Sequence, residues 1–115
     1  MRIYIATPIN GRNERSFEEK YRAAEKRIDA LRNALRTDPR FWSHSFVTSF
    51  DINPPGSQTE AMAMGKCIAA VLECDAVYLD HGWQNSKGCN AEYQTAKIYG
   101  KRIIEHDKLC NYEGQ

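Results

Sequence analysis

Apolar residues change their period several times along this chain, and each change marks an element. Ile3 and Ile5 alternate with Tyr4 before Ala6, the period-two pattern of a strand over Arg2 to Ala6. The isoleucines then share one face and Tyr4 takes the other. Thr7-Pro8-Ile9-Asn10-Gly11 ends this strand, since proline has no N–H to give and Asn-Gly favours a turn. Ser16-Phe-Glu-Glu19 reads as a capping box. From there Phe17, Tyr21, Ala24, Ile28, Leu31 and Leu35 recur at steps of four and three until Thr37-Asp38-Pro39 stops them. That is one apolar stripe on a charged helix, too short in heptads for a coiled coil and suited to packing on a sheet.

Further along, Phe41-Trp42 and Ser45-Phe-Val-Thr-Ser-Phe50 predict a second strand, bounded by Asp51-Ile-Asn-Pro-Pro-Gly56. Ser57-Gln-Thr-Glu60 offers a second capping box. Met64, Ile68, Val71 and Leu72 give the following helix one apolar face. Ala76 to Leu79 is a short apolar run of the buried-strand kind, and His81 to Ser86 is polar around Gly82, so the chain turns there. From about Lys87 a helix is expected on Ala91, Thr95 and Ile98, ending at Gly100, with Ile103-Ile104 as a last strand. The tail from His106 to Gln115 has no period and is expected to pack loosely.

Asp75 to Glu105 thus reads as strand, loop, helix and strand, the crossover that joins two parallel strands. In open parallel sheets, ligands bind outside the carboxyl ends of the strands. Asp80 to Ser86 would lie on that edge, with Asp51 at another strand end. Ser86 is a good N-cap, and the free N–H groups of Lys87, Gly88 and Cys89 would suit an anion such as phosphate. Glu92 stands one turn further on. An acid beside a phosphate-ready helix end is a catalytic candidate, and the competing reading by spacing is a solvated residue that suits the helix dipole.

Composition narrows the class without naming a function. The chain has 115 residues, 42% hydrophobic and 27% charged, which describes one globular domain over 1–115. Sixteen basic residues face fifteen acidic ones for a net charge of +1, so no nucleic-acid polymer is implied as a partner. No apolar run nears the roughly 20 residues of a membrane span, and no signal-peptide pattern opens the chain. A cytoplasmic protein without membrane partners is expected. Cys67, Cys74, Cys89 and Cys110 form no C-x-x-C pair, and the three histidines are scattered. Neither a disulfide framework nor a metal site is expected, and no cofactor is implied.

Ile3-Tyr-Ile-Ala-Thr-Pro-Ile-Asn-Gly11, Cys74-Asp75-Ala76, Gly82-Trp83 and Ser86-Lys-Gly88-Cys-Asn-Ala-Glu92 together resemble the nucleoside 2-deoxyribosyltransferase-like family, in its small single-domain branch. The match spans nearly the whole chain, loosely in the middle. The fold it implies is a small doubly wound α/β sandwich, flavodoxin- or Rossmann-like, with three layers and a four-stranded parallel sheet ordered 2-1-3-4. The resemblance implies cleavage or transfer at the N-glycosidic bond of a (deoxy)nucleoside 5′-monophosphate or related nucleotide. Glu92 would attack the anomeric carbon, and Tyr4 would hold that carboxylate in place. Thr7, Pro8, Ile9, Asn10, Gly11, Ser86, Lys87 and Gly88 would bind substrate. Six residues before the catalytic glutamate, family transferases of free nucleosides resemble one another in an aspartate, and the monophosphate hydrolases in a serine; this chain has Ser86.

Two departures keep a second reading open. Where the family has a catalytic aspartate, eight residues before Asp75, this chain has Cys67, and Thr7 replaces the glycine before Pro8. Asp80 or Asp51 would have to supply an acid from another direction. The alternative is a non-catalytic nucleotide-binding module that has lost the second carboxylate. A homodimer is expected from the resemblance and from bulky Phe41, Trp42, Met62 and Met64, read as surplus apolar surface.

Overall fold

The computed structural model describes residues 1–8, 17–53 and 59–111. Strand β1 (Arg2–Ala6) is the centre of construction, paired in parallel with β2 (Ser45–Thr48) on one side and β3 (Ala76–Leu79) on the other. β4 (Arg102–Glu105) extends the sheet beside β3, giving the order β2-β1-β3-β4. This is the expected parallel α/β sandwich. The pleat divides it into two cores. Ile3, Ile5, Ala76 and Tyr78 meet Ile28, Leu31 and Leu35 of helix α1 (Phe17–Thr37) on one face. Tyr4, Ala6, Val77 and Leu79 face α3 (Glu60–Glu73) and α4 (Lys87–Ile98) on the other.

Local chemistry moved several boundaries. Phe41 joins no strand and no surface: it lies in a 3-10 turn (Pro39–Phe41) and is buried beneath α1. β2 stops at Thr48 because Thr48 and Asp51 form a capping box that opens the short helix α2 (Ser49–Ile52). Thr48 Oγ accepts the Asp51 N–H at 3.3 Å, and the Asp51 carboxylate accepts the Thr48 N–H at 2.9 Å. Helix α3 starts from Thr59, whose hydroxyl accepts the Met62 N–H at 3.1 Å, and not from Ser57, which lies outside the described residues. The buried face of α3 is Cys67, Ala70 and Val71, and Leu72 is exposed.

Helix α4 departs most from its expected face. Cys89, Glu92 and Ala96 are buried, and Ile98 is 75% exposed. Its ends are as expected. Ser86 caps the start, and Gly100 closes it with φ +70°. The tail is anchored where it is described. In a 3-10 segment (His106–Asn111), the Arg40 guanidinium donates to the Leu109 carbonyl at 2.7 Å and the His106 ring packs on Tyr78. Among the described residues no helix is long and apolar enough to cross a membrane.

Candidate active site

Three side chains from three elements converge between the sheet and the α3–α4 layer. Tyr4 rises from the middle of β1, Cys67 comes from α3 and Glu92 from α4. Helical side chains lean toward the helix N-terminus, so Glu92 is carried back toward Ser86 and the carboxyl edge of the sheet. It is only 5% exposed. Burial pushes its carboxyl up to about 7, and the nearby Tyr4 hydroxyl partly offsets this. Tyr4 is held well above the ordinary phenol range by burial first, then by Glu92 and Cys67. Its hydroxyl is fully buried and meets full hydrogen-bond geometry with neither neighbour. A buried hydroxyl without a partner is uncommon and marks a place where an acceptor fits.

Cys67 is raised by burial and lies close enough to Tyr4 and Glu92 to interact with both. Asn53 Nδ2 donates to Cys67 Sγ and to the Ala63 carbonyl, each at 3.2 Å. The thiol therefore lies near the Glu92 carboxyl. Each alternative acid is already ion-paired. The buried Asp80 carboxylate takes Arg27 Nη2 at 2.8 Å, Nε at 3.0 Å and the His81 N–H at 2.7 Å. Asp51 takes Arg32 at 2.7 Å as well as the Thr48 N–H. Asp75 is at the opposite end of the sheet, where its carboxylate accepts the Arg2 N–H at 2.8 Å.

The rim is formed by the ends of β1 and α4. Thr7 Oγ is buried without a partner among the described residues, and Pro8 beside it is half-buried. Ile9, Asn10 and Gly11 lie outside the described residues. Ser86 is buried, and its hydroxyl accepts the Cys89 N–H at 3.3 Å, leaving its own proton to donate. The N–H groups of Lys87 and Gly88 have no intrahelical acceptor, as at any helix start. The Lys87 side chain is exposed. A Cβ on Gly88 would meet Met64 Sδ at 3.7 Å and Ser86 Oγ at 3.9 Å, ordinary contacts, so protein packing does not demand glycine there. Asn90 holds the approach to the helix, donating to the carbonyls of Gln84 at 2.9 Å and Ser86 at 2.8 Å. Residues 1–105 match the model of a family described as Domain of unknown function (DUF4406).

The chain belongs to that family. The matched span ends with β4 and so takes in the whole sheet and the site, leaving out the segment from His106. No curated protein matches the sequence. Within this DUF4406 chain, Asn53 and Asn90 are the site-forming residues that pattern reading missed. Asn53 gave no signal, because it follows a short unexpected helix. Asn90 did carry one, since it lies four residues after the Ser86 cap and so stacks over it.

Proposed function

We propose that this DUF4406 protein cleaves or transfers the N-glycosidic bond of a nucleoside 5′-monophosphate, with Glu92 as the nucleophile. The observation that carries the reading is Glu92 itself, a buried carboxyl on the sheet-facing side of α4 beside the buried Tyr4 hydroxyl. Solvated helix glutamates do not sit this way, and strongly shifted carboxyls held by burial cluster at functional sites. A carboxylate stabilises an oxocarbenium-like carbon and can bond to it, after which water or a second base resolves the ester. Tyr4 would donate to the carboxylate or to a sugar oxygen. Ser86 and the first N–H groups of α4 would take the phosphate. The reading places the protein in the cytoplasm, as a homodimer.

A nucleotide-binding module without turnover is the second reading, favoured by Cys67 lying where a second carboxylate would help. Incubation with a panel of nucleosides and nucleotides separates the two. Release of free base that Glu92→Ala reduces by at least about 100-fold supports the enzyme. Binding without release supports the module. Calorimetry of a nucleoside beside its 5′-monophosphate tests the phosphate site. The monophosphate is expected to bind more tightly, and Ser86→Asp to remove the difference by placing like charges together.

A further inference from the structure

The chemistry around Glu92 bears on what leaves the sugar. When the C1′–N bond breaks, its electron pair goes to the departing ring. A neutral purine or pyrimidine then leaves as an anion unless an acid protonates it. A ring that is already cationic leaves neutral.

The described walls of the site offer poor means of giving that proton. Cys67, which interacts with Tyr4 and Glu92, is a thiol, a weak acid whose loss of a proton burial opposes further. Asp80 is held by two Arg27 nitrogens and the His81 N–H, and Asp51 by Arg32 and the Thr48 N–H. The Tyr4 hydroxyl is buried beside a carboxyl, a setting that opposes loss of its proton. Among the described residues no arginine, lysine or histidine pairs with the Glu92 carboxyl, and the polar group that acts on it is Tyr4. A buried anion without a counter-charge is unfavourable. A ligand carrying its own cation next to C1′ would correct both deficits at once.

We infer, resting on Glu92 as the nucleophile, that the substrate is a nucleotide whose ring is already cationic, such as a pyridinium or an N-alkylated purine. Glu92 Oε bonds to C1′ as the C1′–N pair passes to the ring, which leaves neutral. Water then attacks C1′, the Glu92 ester bond breaks, and the proton of the water goes to solvent. Cation and water give sugar hydroxyl, neutral ring and a proton, with no oxidant or second acid required.

The test uses the full chain and two pairs of probes differing in ring charge. One is guanosine 5′-monophosphate with 7-methylguanosine 5′-monophosphate, the other uridine 5′-monophosphate with nicotinamide mononucleotide. Base release is divided by the uncatalysed rate for each compound, because cationic glycosides are intrinsically weaker. The cationic member is expected to be enhanced at least about 100-fold more than its neutral partner, the scale of a missing general acid. Glu92→Gln should abolish the enhancement, and Cys67→Asp should raise the neutral-to-cationic ratio by supplying a carboxyl. If Cys67→Asp does not fold, the wild-type ratio decides alone. Equal enhancement of both members overturns the inference and leaves Glu92 as the nucleophile. Cleavage of none of the probes overturns both.

Discussion

A carboxyl buried against a phenol and a thiol ionises only at a loss, and in Glu92 that loss is measurable. Its pKa rises in the folded state from 4.5 to about 7 because burial disfavours the anion. The folded protein thus holds a proton that the unfolded chain releases between those values, and stability falls as pH rises through that window. At about 1.4 kcal/mol per pH unit the loss approaches the order of 3 kcal/mol by pH 8. Urea denaturation at pH 5 and pH 8 should show wild type losing stability over this range. Glu92→Gln should lose much less and be the more stable protein at pH 8. If Glu92 is the nucleophile, kcat/KM should rise over the same interval, with an acid limb near pH 7. The residue was visible in the sequence as a position in a motif. Its burial was not, because alternate helix faces were available and the apolar choice of Ala91, Thr95 and Ile98 was plausible. The protein instead buries Cys89, Glu92 and Ala96 and leaves Ile98 in water.

Elements whose ends carry local hydrogen-bond signals were the legible ones. Ser86 at the start of α4, Gly100 at its end and the stop at Thr37 all followed from capping chemistry. The errors arose where two signals competed. Thr48 and Asp51 cut β2 short with a capping box hidden inside an apolar run, and Thr59 was a better-placed cap than Ser57. Gly88 gives this scale its own test. Alanine in the first turn of α4 removes the entropy of glycine and meets only ordinary contacts, so Gly88→Ala should stabilise the fold by about 0.5–1 kcal/mol. If the α4 end binds phosphate, the same methyl crowds the ligand, and monophosphate affinity should fall about tenfold or more by calorimetry. A gain in stability with unchanged affinity would place the phosphate elsewhere.

For the whole molecule, the two-sided core was legible because Ile3, Tyr4 and Ile5 alternate, and the parallel β3–β4 pair because its crossover is short; the full strand order followed from the resemblance. The surface was harder, since composition cannot say which aromatic residues turn inward. Phe41 belongs to the core, and Trp42 next to it is 70% exposed. Met62, Ile98 and Tyr99 are also exposed. Among the described residues these and Leu72 are the large exposed apolar side chains available to a dimer contact, without Phe41 and with Met64 partly buried against the core. Sedimentation at micromolar concentration should give twice the monomer mass, and Trp42→Ser or Ile98→Ser should shift the balance toward monomer. A single monomer boundary for wild type would remove the dimer.

The position of β1 also has a consequence for how the protein is made. Of the four strands described, the first to be synthesised is an interior one. Its partners are β2, complete at Thr48, and β3, complete at Leu79. At about 5–20 residues per second, roughly 4–15 s of synthesis separate Ala6 from Leu79. Throughout that interval the Ile3-Tyr4-Ile5 segment has an unpaired edge and no closed core. Folding of this chain is therefore a late event that waits on its second half, and a nascent chain stalled before β3 exposes the segment that the finished protein buries most completely.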